Sequence, residues 1–131
     1  MTTIKEIYEN NISEDIVSIG DTLKSERKKI NRKLEGKNKS FFLVVLDYDE
    51  KITGVITRTE LREMLEEAGR CSNFNIKFKN YAKEHIILEE SEDAVKGLKE
   101  LKKIKNKGFI LVKNKEGNYI GKILLENITK T

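Results

Sequence analysis

The chain has 131 residues and a net charge of +4, and its apolar and charged residues each make up 37% of the total. This size suits one ordinary domain or two half-domains that share a core, and the clustering of apolar residues into runs argues against disorder. No apolar stretch approaches the roughly 20 residues of a membrane-spanning helix, and residues 2–14 do not resemble a signal peptide. The single cysteine, Cys71, excludes an internal disulfide, so we expect a reducing, cytoplasmic setting.

The first predicted elements are a short strand and a basic helix. Residues 15–19 (DIVSI) are rich in β-branched side chains and predict a strand, and Asp21 is placed to cap the helix that follows. The apolar positions of this helix are Leu23, Ile30 and Leu34. Residues 24–39 carry eight basic side chains against two glutamates. Such a run is usually a solvated face, and contact with a phosphate-bearing partner is the alternative.

The central stretch, residues 41–65, reads strand, turn, strand, helix. It opens with the unbroken apolar run 41–46, which is typical of a strand buried on both faces. Residues 47–50 predict a turn, and residues 52–56 predict a second strand, interrupted by Gly54. A helix begins after Thr57, and Gly69 is placed to end it.

The second half of the chain repeats this stretch. Residues 108–127 align on the first copy without a gap at a constant offset of 67, which places Gly121 on Gly54 and Asn114 on Asp47. Residues 85–88 predict the strand that corresponds to Ile16–Ile19. Aligning Ile16-Val17 on Ile86-Ile87 needs an offset of 70, so the first copy has about three extra residues around its basic helix. Ser91 is expected to cap the second copy's helix. The apolar stripe of that helix consists of Ala94, Val95, Leu98, Leu101 and Ile104.

Each copy is therefore predicted as strand, helix, strand, strand, helix. One such unit cannot cover its own small sheet, so the two copies should pack sheet against sheet. We divide the chain into a first repeat (residues 11–69), a linker (70–83) with partly extended structure, and a second repeat (84–131). After Asn127 too few residues remain for a closing helix. The uncovered apolar surface predicts a homodimer or another protein partner.

The duplicated β-α-β-β-α pattern, with Gly-h-h-Thr-x-x-acid at the strand-to-helix joint, resembles the CBS domain pair, also called the Bateman module. The resemblance covers about residues 11–131 and is strongest in VVLDYDEKITGVITRTEL and LVKNKEGNYIGKIL. It implies an α+β fold of two repeats packed sheet to sheet with pseudo-twofold symmetry. It also implies regulation of another protein by an adenosyl compound such as AMP, ADP, ATP or S-adenosylmethionine, which is a regulatory ligand and not a required cofactor.

The resemblance places the main ligand cleft at the joint between strand and helix in the first copy. Thr57 would supply the hydroxyl near phosphate, and Glu60, one methylene longer than the family's usual aspartate, would accept hydrogen bonds from the ribose. A helix N-terminus favours phosphate, and a carboxylate can accept two bonds from a diol. Stretches 16–19 and 41–43 could sandwich an adenine. The predicted ligand-binding residues are Ile16, Val17, Phe41, Gly54, Thr57, Glu60 and Asn127.

The same residues allow three other interpretations. Thr57 and Glu60 also match a capping box, in which both side chains serve only the helix end. In the second copy the corresponding positions are Leu124 and Asn127, so that cleft lacks its hydroxyl, and the protein could be a ligand-free scaffold. The basic stretches 24–39 and 96–107 could bind a nucleic-acid backbone. No combination of residues assembles a catalytic site, so we expect a protein that is not an enzyme.

Overall fold

The computed structural model describes residues 3–36, 41–102 and 108–124. The chain folds into two compact units. One consists of Ser13–Glu84, and the other combines Met1–Ile12 with His85–Thr131. Within the described ranges, no helix is both long enough and apolar enough to cross a membrane.

The unit Ser13–Glu84 contains a three-stranded sheet and two α-helices. In chain order its elements are β1 (Ile16–Ser18), α1 (Arg27–Glu35), β2 (Phe42–Leu46), β3 (Ile52–Thr57) and α2 (Arg58–Cys71). Strand β2 is central: it pairs parallel with β1 and antiparallel with β3. The parallel pair needs a crossover, which α1 provides, whereas β2 and β3 are joined by a tight turn.

The second unit repeats this order. Its elements are β4 (Ile87–Glu89), α3 (Ala94–Lys102), β5 (Phe109–Lys113) and β6 (Tyr119–Leu124). Strand β5 pairs parallel with β4 and antiparallel with β6. The predicted α+β class and the duplicated unit are therefore confirmed. The expected truncation of the closing helix falls on residues 125–131, outside the described residues, and the packing of sheet against sheet stays a prediction.

The core of the first unit lies between its sheet and its helices. All five residues of β2 are buried, as the apolar run predicts, because alternate side chains point to opposite faces of a strand. Leu43 and Val45 belong to the set that packs with α1 and α2. The other core residues of this unit are Val17, Leu23, Ile30, Phe41, Ile56, Leu61, Met64, Ala68 and Phe78.

The two hairpins have the same register and the same turn. Gly54 lies opposite Val45 and Gly121 lies opposite Val112, with an irregularity one residue later in both. At the turn, Asp47 Oδ1 accepts a hydrogen bond from the Lys51 N–H, and Asn114 Oδ1 accepts one from the Asn118 N–H, both at 2.9 Å. The offset of 67 is thus confirmed through the whole hairpin.

Each repeated glycine lies where another segment of its own unit passes very close. A Cβ built on Gly54 would be 2.9 Å from both the Ala82 Cβ and the Lys83 carbonyl oxygen. One built on Gly121 would be 2.0 Å from Cδ2 of Tyr8 and 2.6 Å from the Glu9 carbonyl oxygen. The two glycines therefore have similar surroundings: at each, the absence of a side chain lets the backbone of another segment pass close by.

The crossing segments are the two stretches that precede β1 and β4. The stretch before β1 belongs to the unit that contains β4–β6, and the stretch before β4 belongs to the unit that contains β1–β3. A 3-10 helix at Ile4–Glu6 leads to a bridge between Glu9 and Lys122. A 3-10 helix at Phe78–Asn80 leads to a bridge between Lys83 and Val55. Ile4 and Phe78 are completely buried in these cores, so the N-terminal segment is a core element that its few apolar residues do not reveal.

Several predicted details of the helices and strands are wrong. Helix α1 begins at Arg27 with Glu26 at the N-cap position, and Asp21 instead accepts a hydrogen bond from the Ser18 N–H at 2.7 Å. Helix α3 is capped not by Ser91 but by Asp93, whose carboxylate accepts from the Val95 N–H at 2.9 Å.

Two further corrections concern a helix end and an alignment. Helix α2 continues past Gly69 to Cys71, and Ser72 takes the left-handed conformation (φ 51°) that was expected of the glycine. Ile16 and Ile87 both pair with equivalent positions of the central strands, Val44 and Leu111, so the offset at the first strand is 71 and not 70.

The predicted apolar stripes are correct only in part. In the first copy Leu23 and Ile30 are buried, but Leu34 is 39% exposed. In the second, Ala94 is buried and Val95 is 57% exposed. The side chains of Leu98 and Leu101, and all of Ile104, lie outside the part of the chain that can be described.

Candidate functional site

The joint between β3 and α2 is a capping box. Thr57 is the N-cap in an extended conformation, and Glu60 occupies the third helical position. The Glu60 Oε1 atom accepts hydrogen bonds from the Thr57 N–H at 2.9 Å and from the Thr57 hydroxyl at 2.7 Å. Glu60 is buried, at 7% exposure, whereas Thr57 is half-buried. The two predicted site residues therefore lie together and serve the helix end.

The chemistry of this joint still allows a ligand. Within the described residues both hydrogen bonds to Glu60 fall on Oε1, so Oε2 is the oxygen available to a ligand hydroxyl. The first turn of α2 presents N–H groups and the positive end of the helix dipole. Arg58 follows Thr57, and its guanidinium carbon lies 5.7 Å from the centre of the Phe41 ring. Acceptor, donors and a cation thus lie within four consecutive residues.

The predicted adenine-contacting residues have different surroundings. Val17 and Phe41 are 1% and 4% exposed and belong to the hydrophobic core of the unit. Gly54 is buried against the segment at Ala82 and Lys83, so its lack of a side chain is already explained by packing. Ile16 is half-buried, with its carbonyl bonded to Lys29. The structure therefore brings together Thr57 and Glu60, whereas Val17, Phe41 and Gly54 are buried within their own unit and their part in ligand binding stays a prediction.

The basic helix α1 turns much of its charge toward its own unit. The Lys33 ammonium lies 2.5 Å from a carboxylate oxygen of Asp15, which is 2% exposed, and 5.1 Å from the Phe42 ring centre. The Lys29 ammonium donates to the Ile16 carbonyl at 2.5 Å. These cations fix α1 to the entry of β1. Burial is the largest influence on Glu26 and raises the pKa of its carboxyl group above the ordinary value. The neighbouring Lys29 opposes this shift.

Sequence reasoning missed the pairing of Asp15 with Lys33. A signal was present, because the acidic pair Glu14-Asp15 directly precedes a strand and the following helix is basic. Arg32 completes the pattern by donating to Glu14 at 3.0 Å, on the exposed side. Opposite charges on adjacent elements can predict a contact, but the sequence alone does not set which cation becomes buried.

The second copy differs at the joint. Leu124 is the last residue of β6 and occupies the position of Thr57. Asn127, the predicted counterpart of Glu60, lies outside the described residues. His85 Nε2 lies 2.8 Å from the Phe109 carbonyl oxygen, and the two rings stack at 4.0 Å, which gives this histidine a packing role. Among the described residues no group of three His, Cys, Asp or Glu side chains could hold a metal ion.

Comparison with known proteins gives the fold. No known family profile matches the sequence, and no curated protein is similar enough in sequence to count as a relative. Solved structures do match. A CBS domain-containing protein of unknown function from Bacillus anthracis is 19% identical, with a TM-score of 0.77 over 99% of this chain and 91% of its own.

Two more structures show the same likeness. CBSX2, solved in complex with AMP, is 14% identical, with a TM-score of 0.75 over 99% of this chain and 95% of its own. Protein MJ1004 is 18% identical, with a TM-score of 0.73 over 98% of this chain, which spans only 58% of the MJ1004 chain. The chain therefore has the fold of a tandem CBS domain pair, as the resemblance implied.

Proposed function

We propose that the protein is a CBS-pair regulatory module that binds an adenine nucleotide or a related adenosyl compound, such as AMP, ATP or S-adenosylmethionine. The observation that carries this proposal is the buried carboxylate of Glu60 at a helix N-terminus beside Thr57, within a CBS-pair fold. The AMP complex of CBSX2 supports the ligand class. The module is a cytoplasmic homodimer without enzymatic activity and transmits ligand binding to a partner protein.

The ligand would compete with the capping box. A ribose diol that donates to Glu60 replaces, or adds to, the two hydrogen bonds that Thr57 now makes to the same carboxylate. Phosphate would take up the free N–H groups of the first turn of α2. Because ligand and cap share these groups, binding would change how firmly the first turn is held. A partner protein in contact with α2 can read such a change.

Isothermal titration calorimetry with AMP, ATP and S-adenosylmethionine tests the proposal. We expect binding by the wild type and at least about tenfold weaker binding by Glu60→Gln, which removes a charge-assisted hydrogen bond yet keeps a residue that capping boxes accept. Asp93→Ala is the matched control, since it removes the α3 cap at a cost of about 0.5–2 kcal/mol and leaves this site intact. Absence of heat with all three compounds at millimolar concentration would refute the sensor.

A scaffold that binds no nucleotide is the second candidate. The observation in its favour is that Thr57 and Glu60 already satisfy each other, while Val17 and Phe41 are closed into the core. It predicts that Thr57→Ala changes only stability and no binding. The nucleic-acid interpretation is weaker than the charge run indicates, because Lys29, Arg32 and Lys33 make internal contacts.

A further inference from the structure

Both hydrogen-bond donors of Thr57 are directed at Glu60. The Thr57 hydroxyl oxygen lies 2.7 Å from Glu60 Oε1, and the Thr57 N–H donates to the same oxygen at 2.9 Å. A hydroxyl has one hydrogen and an ionised carboxylate can only accept, so the hydroxyl must be the donor in this pair. While the capping box is closed, a ligand therefore meets the Thr57 hydroxyl as an acceptor and not as a donor.

The length of the Glu60 side chain determines this arrangement. Glutamate, like glutamine, closes a capping box from the third helical position, because its side chain reaches back to the N-cap N–H. Aspartate is one methylene shorter and is not part of this motif. Within the described residues both hydrogen bonds to Glu60 fall on Oε1, so Oε2 can accept from a ligand while the box is closed.

Glu60 is also a buried negative charge. It is 7% exposed, and buried charges in proteins are usually paired with an opposite charge. In the part of the chain that can be described, no ion pair includes Glu60, and the paired carboxylates belong to Glu14, Asp15, Glu26 and Glu67. Arg58 is exposed, and the charge of an exposed residue is screened by water and salt. A positive group of a ligand would therefore be attracted to this carboxylate.

A phosphate is poorly matched to this joint. Its oxygens are strong acceptors, and the group carries a charge of about −1.5 to −2 at pH 7. A phosphate oxygen in contact with the Thr57 hydroxyl lies at most about 5.5 Å from Glu60 Oε1, because two contacts of about 2.7 Å connect the three oxygens. The N–H groups at the start of α2 attract phosphate, but the buried carboxylate repels it. A bound phosphate would therefore have to open the capping box.

We propose that this site selects adenosyl compounds whose 5′ substituent carries no phosphate, and among them those with a positive charge, such as the sulfonium of S-adenosylmethionine. This preference rests on the proposed function, because it assumes that the joint between β3 and α2 binds an adenosyl ligand. The ribose diol donates to Oε2 of Glu60, and the positive substituent lies beside the same carboxylate. The capping box stays closed, whereas a nucleotide has to open it and binds more weakly.

Isothermal titration calorimetry on the full chain tests this preference with two matched pairs of compounds. Adenosine and AMP differ only in the 5′ phosphate, and we expect adenosine to bind at least about tenfold more tightly, since like charges in contact are strongly unfavourable. S-adenosylmethionine and S-adenosylhomocysteine differ in the methyl group that makes the sulfur positive. We expect S-adenosylmethionine to bind at least about threefold more tightly.

Glu60→Asp tests whether the capping box causes the preference. The shorter side chain should release the Thr57 hydroxyl as a donor, so the affinity for AMP relative to adenosine should rise at least about tenfold. Glu63→Asp is the matched control, because it shortens an exposed glutamate of the same helix and should leave the ratio unchanged. Circular dichroism checks that both variants are folded, and the wild-type comparison decides the preference even if one of them is not.

The possible failures are distinguishable. Binding of AMP as tightly as adenosine, or more tightly, would overturn the preference and leave the proposed sensor intact. An unchanged ratio in a folded Glu60→Asp variant would also overturn it, because the capping box would then not be its cause. Equal binding of S-adenosylmethionine and S-adenosylhomocysteine would overturn the preference for positive charge. Absence of binding by all four compounds at millimolar concentration would refute both the preference and the proposed function.

Discussion

The two hairpins, β2–β3 and β5–β6, agree in everything that shapes the backbone and differ where the next element begins. In both, a glycine lies opposite a valine and another segment passes close to that glycine. In both turns, an Asp or Asn side-chain oxygen accepts a hydrogen bond from the N–H four residues later. At the end of the hairpin, however, the first copy has Thr57 and the second has Leu124. The features shared by both copies are those that packing requires, whereas the polar joint is present in only one.

A second difference lies at the entry of the first strand of each unit. With the structural offset of 71, Asp15 of the first unit corresponds to Ile86 of the second. Asp15 is buried in an ion pair with Lys33, whereas Ile86 packs against the apolar core of its unit. The same position thus holds a buried, ion-paired carboxylate in one copy and an apolar side chain in the other. Breaking the buried pair of Asp15 and Lys33 should therefore have the largest effect on stability.

Lys33→Met is expected to lower the free energy of unfolding by about 3–5 kcal/mol, because it removes the cation of a buried ion pair. Chemical denaturation monitored by circular dichroism measures this change. The double variant Asp15→Ile/Lys33→Met imitates the second unit and should recover most of the loss, since apolar replacement of a whole buried pair is often neutral or stabilising.

Arg32→Met serves as the control for that series. Arg32 pairs with Glu14 at 3.0 Å, but both side chains are more than half exposed, so the loss should be about 0–1 kcal/mol. If Lys33→Met cost no more than Arg32→Met, the burial of the pair would not matter to stability, and the contrast between the two units at this position would have no energetic meaning.

The repeated glycines give the next largest effect. Gly121→Ala is expected to lower the free energy of unfolding by about 1–3 kcal/mol, because its Cβ would overlap Tyr8 and the Glu9 carbonyl. Gly54→Ala should cost less, since its nearest contacts are 2.9 Å away and not 2.0 Å. Thermal denaturation of both variants ranks them.

Gly69→Ala is the matched control, because a Cβ at Gly69 would meet nothing within 4 Å and the residue lies inside α2. It should stabilise the protein by up to about 1 kcal/mol through helix propensity. A stabilising Gly121→Ala would show that the crossing segment is not held against the hairpin, which would break the equivalence of the two copies.

Most of the fold could be predicted from the sequence, because its strongest signals are local. The apolar run at 41–46 and the constant offset of 67 are sufficient for the buried strand and the duplication, whereas the order of strands within each sheet comes from the structure. Residues 4–9 carry few apolar side chains, and the burial of Ile4 depends on a hairpin more than a hundred residues away. The two predicted helix caps are also wrong, since Asp21 accepts a hydrogen bond from Ser18 at the end of β1 and Ser91 donates one to Glu89 at the end of β4. Side chains that can cap in more than one way do not reveal their partner.

The candidate site was predictable only as a motif. The spacing of Thr57 and Glu60 gives both the capping box and the ligand interpretation, and the structure shows the first directly. Val17 and Phe41 are predicted adenine contacts because their side chains are apolar. That character equally suits a core position, and both residues are in the core. Apolar residues in a sequence do not indicate whether a ligand or a neighbouring helix will cover them.

The turns give the smallest expected effect. Glu50 has φ 63°, and its counterpart Gly117 has φ 85°, so only the second copy uses the residue suited to this conformation. Glu50→Gly should raise the free energy of unfolding by about 0.5–1 kcal/mol, since relief of left-handed strain outweighs the added entropy of the unfolded chain. Gly117→Ala should lower it by about 1–2 kcal/mol. Equilibrium unfolding in urea resolves both, and a destabilising Glu50→Gly would contradict the equivalence of the turns.

The exchange of the segments before β1 and β4 bears on how such a chain could arise by gene duplication. Because Ile4–Glu6 completes the second unit and Phe78–Asn80 completes the first, a polypeptide cut after Cys71, at the end of α2, yields two fragments that each lack a piece of their own interior. An ancestor with a single repeat would have needed two molecules, each lending its leading residues to the other. After fusion of two such genes, the segments once exchanged between two molecules would be exchanged between two units of one chain.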